Sequence, residues 1–205
     1  MALAEIFVYG TGGHGKVVAD IARSCGYTLA GWIDDNPAAA AYTWETFRLS
    51  HPSGAIALGI GNNTLREQIL DKVSKAGYAL PPLIHPSAVI SPSATIDEGS
   101  VIMPLSVVNA EARICTGCII NSGAVVEHEC LLEPFVHISP NAALAGGVRV
   151  KHHTHIGIGA NCIQNLTVGA HSIIAAGSVL ISDIPDYSLA AGVPAKVKKS
   201  LFKPI

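Results

Sequence analysis

Charge and aromatics are both scarce: charged residues make up only 14% of this 205-residue chain and aromatic residues 5%. Thirteen Lys and Arg against fifteen Asp and Glu leave a formal net charge of −2. No basic face is therefore available for nucleic acid or for an anionic membrane surface, and neither is expected as a partner. No apolar run reaches the roughly 18 residues of a bilayer-spanning helix. Met1 leads into a strand-like Ile6-Phe7-Val8-Tyr9 without a basic n-region or a small-residue cleavage site, so a cytoplasmic protein is expected. Cysteines are few and odd in number (Cys25, Cys115, Cys118, Cys130, Cys162), which does not fit a disulfide framework. Cys115 and Cys118 form a C-x-x-C pair with no second pair after it.

What the chain does have is a period of six. From Ile84 to Leu180, every sixth residue is Ile, Val or Leu, with the single exception of Cys162. Four residues after each comes a mostly small side chain, as at Ala88, Ala112, Cys118, Ala124, Cys130, Ala142 and Ser178. Neither an amphipathic helix nor a two-faced strand has this period, so a solenoid is indicated. Each hexad supplies a short strand and a corner. Three hexads close a triangular coil of about 18 residues, whose open backbone edge is paired by the next coil about 4.8 Å along the axis. Cys118, Cys130 and Cys162 fall where such a coil wants a small apolar group, and they are expected to fill space.

The first eighty residues are of another kind. A strand to Tyr9 is followed by Gly10-Thr11-Gly12-Gly13-His14-Gly15, a helical pattern through Val17, Val18, Ile21 and Ala22, and a second strand, Leu29 to Ile33, ending in Asp34-Asp35. This is formally the G-x-G-x-x-G dinucleotide fingerprint with acids about twenty residues on. Only one βαβαβ half fits before the solenoid, which argues against a nicotinamide oxidoreductase. The mechanism of the loop survives: glycines let backbone N–H groups and a helix N-terminus approach a pyrophosphate. A third strand, Ala55 to Ile60, runs into Gly61-Asn62-Asn63, and Thr64 is expected to cap the helix that follows. The ends of the three strands converge on one rim. The stretch from 36 to 50 is read as a loop and Tyr78 to Pro82 as a linker, giving a Rossmann-like domain over 1–80 and a solenoid domain with a short C-terminal tail over 81–205.

Most of the nine histidines fall in or beside the repeat. His128 stands out, at a corner position in Asn121-Ser122-Gly123-Ala124-Val125-Val126-Glu127-His128-Glu129. An imidazole flanked by carboxylates is held in one tautomer, as a general base requires. Gly146 is 18 residues on, so it is expected directly above His128, where a backbone N–H suits an oxyanion. Ile158 and Ala176, also 18 apart, mark a strip on a different corner. His152, His153 and His155 raise the alternative of zinc. No two histidines are five apart, so the His-x4-His pairing of the metal-binding solenoids is missing, and no metal is expected.

The long hexad register resembles the left-handed parallel β-helix of the hexapeptide-repeat acyltransferases. Gly-x-Gly-Gly-His-Gly, Asp34-Asp35, Ile60-Gly61-Asn62-Asn63 with Arg66, Leu83-Ile84-His85-Pro86-Ser87-Ala88 and the Gly192-Val193-Pro194-Ala195-Lys196 segment together resemble the sugar acetyltransferases of the bacillosamine-pathway and sialic acid types. The resemblance implies an α/β N-terminal domain that holds a nucleotide-linked sugar through Gly12, Gly13, His14, Asp34, Asp35 and Gly61, followed by the β-helix. It implies His128 as base, Glu129 as its orienting acid, Asn121 near the acceptor sugar, and acetyl-CoA contacts at His137, Gly146, Ile158 and Ala176. Lys196, Lys198 and Lys199 are candidates to meet CoA phosphates. The expected activity is direct N-acetylation of a nucleotide-linked 4-amino-4,6-dideoxy sugar by a homotrimer. O-acetylation of a sialic-acid-type sugar and a non-catalytic nucleotide-sugar scaffold remain the alternatives.

Overall fold

The structure is a computed structural model that describes residues 4–202; Met1, from which the start of the chain was read, lies outside the described residues. The chain divides into two compact units, residues 1–86 and 87–205.

The first unit is a three-stranded parallel sheet in the order β2-β1-β3, with β1 at Glu5–Tyr9, β2 at Thr28–Ile33 and β3 at Ala55–Leu58. As the central strand, β1 buries Ile6, Phe7, Val8 and Tyr9 in succession, which is why it reads as a continuous apolar run rather than an alternating one. Helix α1 (Gly13–Ser24) packs Val18, Ile21 and Ala22 inward. Helix α3 (Asn63–Lys75) buries Arg66, Ile69, Leu70 and Val73.

Three local expectations are corrected here. Strand β3 stops at Leu58, because the backbone must open at Gly59 to pass the glycine loop. Asn62 rather than Thr64 caps α3, its Oδ1 accepting from the Leu65 N–H at 2.9 Å; Thr64 lies inside the first turn. The stretch read as a loop contains helix α2, Trp44–Ser50. It starts on a reciprocal cap in which the Thr46 N–H donates to Thr43 Oγ1 and the Thr43 N–H donates to Thr46 Oγ1. Trp44 and Phe47 anchor α2, with Phe7 and Phe47 edge to face at 4.8 Å. Two anchors on seven residues are too few to show helical periodicity. Tyr78 and Leu80 are buried, and the Tyr78 hydroxyl donates to the His51 carbonyl at 2.6 Å, so this stretch packs into the first unit.

The second unit is a parallel β-helix of about six turns. Two-residue strands recur at each hexad and pair in register with the strand 18 residues on: Ile119 with His137, Val125 with Ala143, Leu131 with Arg149. Its three faces are the columns through Ile119-Ile120, Val125-Val126 and Leu131-Leu132; we call them the first, second and third faces. The hexad aliphatics Val126, Leu132, Ile138, Leu144, Val150 and Ile156, contributed by the three faces in turn, form one buried core with the small Ala112, Cys118, Ala124, Cys130 and Ala142. Each fully buried aliphatic contributes roughly 1.5–3 kcal/mol. Where the small position is polar, its hydroxyl is satisfied by a corner carbonyl, as in Ser106 Oγ to Met103 O at 2.7 Å and Ser100 Oγ to Cys115 O at 3.0 Å.

At the far end, Ser188–Gly192 and Ala195–Ser200 form an antiparallel hairpin that extends the first face. The segment carrying Lys196, Lys198 and Lys199 is thus a strand with exposed side chains. No helix among the described residues is long and apolar enough to cross a membrane.

Candidate functional site

The corner after Val125-Val126 carries the strongest chemistry in the solenoid. To turn there, the chain takes a left-handed conformation at Glu129, φ +60°, an arrangement that costs a side-chain-bearing residue about 1–2 kcal/mol. The turn folds the Glu129 carboxylate back beside its neighbour, and His128 Nδ1 lies 3.0 Å from Glu129 Oε2. On the other side, Glu127 Oε2 accepts from the His128 backbone N–H at 3.2 Å and from Asn109 Nδ2 at 3.0 Å. The carboxylate at Nδ1 places the proton there and leaves Nε2 as the lone-pair nitrogen of the neutral ring. Both side chains are more than half exposed, 58% and 66%.

One coil further on, Gly146 faces this imidazole. A Cβ built at Gly146 would fall against His128 Cε1 and Nε2, so only glycine leaves the ring where it is. The Gly147 N–H donates to the His128 carbonyl at 2.8 Å and fixes the corner backbone. Along the second face next to this corner runs a groove of about 420 Å³, lined by Glu127, Ala143, Ala145, Asn161, Ile163 and Gln164 among others. On the third face, a hollow of about 280 Å³ is lined by Glu111, Arg113, Glu129, Cys130, Leu131 and Arg149.

Asn121 and His137 meet each other but not this corner. His137 lies on the first face, opposite the corner that carries His128, and Asn121 directly follows the first-face strand Ile119–Ile120. Asn121 Nδ2 is 3.2 Å from His137 Nε2, and the His137 ring stacks on His155 at 4.6 Å with an interplanar angle of 2°. Ser139 Oγ is 2.7 Å from His155 Nε2. Ile158 and Ala176 are exposed at the corner between the first and second faces.

The buried thiols are not nucleophiles. Burial pushes Cys130 up to about 11 and Cys162 up to about 12, and Cys130 Sγ donates inward to the Ala145 carbonyl at 3.3 Å. Among the described residues, no group of three or more His, Cys, Asp or Glu is placed to hold a metal ion.

In the first unit the glycine loop is built by close backbone approach. A Cβ on Gly15 would strike the Gly10 carbonyl, whereas Gly12 and Gly13 face open space. Gly12 is the N-cap of α1 and offers no side-chain cap, so the first N–H groups of a 12-residue helix are aimed outward with the positive end of its dipole. Asp34 braces the loop: its Oδ2 accepts from the Thr11 N–H at 3.1 Å and from Thr11 Oγ1 at 2.7 Å, and its Oδ1 accepts from the Asn36 N–H. Asp35 accepts from the Tyr9 hydroxyl, from Lys72 Nζ at 3.1 Å and from the Trp44 N–H, while Lys72 Nζ sits 5.0 Å from the Tyr9 ring centre and 5.3 Å from that of Trp44. Desolvation works to raise both carboxyls, but these donors outweigh it and hold both below the usual aspartate value. The Tyr9 hydroxyl, desolvated and facing Asp35, is pushed well above its ordinary value.

His14, in the loop, is lowered to about 4, by burial first and by the Arg66 charge second. Arg66 is only 1% exposed. It donates to the carbonyls of Ile60 and Gly61 at 3.1 and 3.2 Å and to Asn63 Oδ1 at 2.8 Å, which fixes the Gly61 backbone. Thr11, Tyr9, Lys72 and the structural role of Arg66 are the participants that sequence reasoning missed. Thr11, Tyr9 and Lys72 lie 23 to 63 residues from their partners and follow no local pattern, while the partners of Arg66 are local, 3 to 6 residues away.

Comparison with known proteins adds three findings. Residues 5–73 match the family model of the PglD N-terminal domain. Among characterised relatives, a UDP-N-acetylbacillosamine N-acetyltransferase of Bacillus subtilis is 38% identical over 112 residues, 49% of this chain and 52% of that protein; the chain thus spans about half the length of that relative. Among solved structures, PerB from Caulobacter crescentus in complex with CoA and GDP-perosamine is 40% identical with a TM-score of 0.89, covering 97% of this chain and 100% of that one. The acetyltransferase domain of PglB from Neisseria gonorrhoeae, in complex with acetyl coenzyme A, is 40% identical with a TM-score of 0.88, over 95% of this chain and 99% of that one.

Proposed function

The chain belongs to the hexapeptide-repeat sugar acetyltransferase family of the bacillosamine-pathway type, and from that premise we propose that it transfers an acetyl group from acetyl-CoA to the amine of a nucleotide-linked 4-amino-4,6-dideoxy sugar. The observation that carries this reading is His128, with Nδ1 against Glu129 and Nε2 over Gly146.

In this mechanism the acceptor nitrogen attacks the thioester carbon directly, and His128 Nε2 takes the proton that the amine releases. The carbonyl oxygen becomes an oxyanion that the Gly146 N–H stabilises. The C–S bond then breaks, and the imidazolium returns its proton to the departing thiolate, giving an acetamide and free CoA. Glu129 keeps the ring in the required tautomer throughout. No covalent enzyme intermediate forms.

The glycine loop around Gly12 and Gly13, with His14 and Gly61 beside it, holds the nucleotide-sugar diphosphate on the N-terminus of α1. Asp34 and Asp35, just past the end of β2, stand on the same rim. Acetyl-CoA contacts His137, Gly146, Ile158 and Ala176. Because Asn121 and His137 occupy the face opposite His128, a site using all three is completed by a second copy, which supports a homotrimer. The enzyme works in the cytoplasm, where acetyl-CoA and nucleotide sugars are made.

The test is a free-CoA release assay with UDP-, GDP- and TDP-linked 4-amino-4,6-dideoxy sugars, their 4-hydroxy counterparts and free sialic acid. Release with an amino sugar, lowered at least about a hundredfold by His128→Ala, supports the reading. Release only with hydroxyl acceptors overturns N-acetylation, and binding of nucleotide sugar without release in any arm leaves a scaffold.

A further inference from the structure

Asn121 is a short side chain with four hydrogen-bonding sites, and the structure fixes which way round its amide sits. The Ser122 backbone N–H donates to Asn121 Oδ1 at 2.9 Å. A flipped amide would set N–H against N–H, so the oxygen must face Ser122. The amide nitrogen is then the atom 3.2 Å from His137 Nε2. An amide nitrogen only donates, so Nε2 must accept, and an accepting Nε2 carries no proton. The proton of the neutral ring is therefore on Nδ1.

The surroundings hold the ring in that state. His137 lies half-buried on the first face, in a parallel register with His155, and the two rings stack almost parallel at 4.6 Å. Stacking fixes the plane of the ring and Asn121 fixes its rotation.

We propose that Asn121 is a positioning residue that locks His137 in the Nδ1–H tautomer, so that any hydrogen bond His137 makes through Nδ1 is one it donates. The ligand group that suits this nitrogen is an acceptor oxygen, the thioester or amide carbonyl of an acyl-CoA. The ligand assignment rests on the acetyl-transfer reading above; the tautomer does not. The role also differs from a direct contact between Asn121 and the acceptor sugar, because Asn121 acts through the imidazole.

The experiment records long-range proton–nitrogen correlation spectra of the ¹⁵N-labelled full chain above the imidazole titration range, with His137→Gln identifying the His137 signals. The expected result is a pyridine-type Nε2 and a pyrrole-type Nδ1 in the native chain, reversed in Asn121→Asp, whose carboxylate accepts a proton instead of donating one. The Asn121→Asp chain should also show a KM for acetyl-CoA raised by up to about tenfold, the equivalent of one hydrogen bond, while the KM for the nucleotide sugar stays within about twofold. A pyrrole-type Nε2 in the native chain, which needs no variant to fold, overturns the proposal. So does an unchanged tautomer in a folded Asn121→Asp, or a rise in the nucleotide-sugar KM in place of the acetyl-CoA one. Activity surviving His128→Ala would sink the catalytic reading while leaving the tautomer result intact.

Discussion

His128 and Gly146 lie face to face across one coil of the solenoid: the edge of the imidazole that carries Nε2 fills the volume a side chain at 146 would take. The proposed mechanism asks for both residues, His128 as base and the Gly146 backbone N–H as oxyanion donor. The contact also makes the glycine a sharp test, because the smallest possible addition at 146 collides with the ring.

Gly146→Ala should displace the imidazole without unfolding the coil, because the ring is exposed and can swing outward while the Gly147 N–H still holds the His128 carbonyl. A base moved by about 1 Å loses on the order of a hundredfold in rate. Steady-state CoA release should show kcat reduced on that scale with KM values little changed, and a thermal melt should fall by only a few degrees. Native kcat in the alanine variant would remove Gly146 from the site.

Glu129→Gln keeps an oxygen within reach of Nδ1 but removes the charge. If Glu129 orients His128 and stabilises the imidazolium, kcat should fall about tenfold, and Glu129→Ala should fall further. Both residues are exposed, so the folded state should be nearly indifferent. Equal activity of all three chains would assign the carboxylate to the turn alone.

The solenoid was legible because its hexad is set by geometry at every coil: an inward aliphatic such as Val126, Leu132 or Ile138 recurs every six residues, with a mostly small partner four residues on, over about a hundred residues. The 18-residue coil then put Gly146 over His128 from counting alone. Other features had no such periodicity. The seven residues of Trp44–Ser50 form a helix because Trp44 and Phe47 meet an aromatic cluster that includes Phe7, Tyr9 and Tyr78, distant in sequence. Asp34 and Asp35 could be read as rim residues, yet their bonds to Thr11, Tyr9 and Lys72 depend on how β1, β2 and α3 come together. The placement of Asn121 on a different face from His128 was likewise implicit in the hexad count, but it matters only once the three faces are drawn.

The glycine loop separates structure from binding within six residues. Gly15→Ala drives a Cβ into the Gly10 carbonyl, backbone against backbone, and should cost roughly 1–3 kcal/mol of stability in a denaturant titration. Gly12→Ala and Gly13→Ala meet nothing within 4 Å and should melt like the native chain. If these two glycines face the diphosphate, the alanine variants should instead raise the Kd for the nucleotide sugar several-fold by calorimetry. Unchanged affinity in both would move the diphosphate elsewhere on the rim.

His14 should make the chain acid-sensitive in a defined window. Its folded pKa is lowered to about 4 by burial and then by Arg66, against about 6.5 in an unfolded chain. Between those values the unfolded chain binds a proton that the folded one does not, so stability rises with pH there. The contribution is complete above pH 6.5 and lost as pH falls toward 4, with a slope of at most about 1.4 kcal/mol per pH unit. Urea unfolding of the native chain and of His14→Gln across pH 4 to 7.5 isolates this term. The native chain should lose stability on acidification more steeply than the variant, and the two curves should run parallel above pH 6.5. Parallel curves throughout would mean that His14 takes up its proton in the folded state as readily as in the unfolded one, and that Arg66 does not hold the ring neutral.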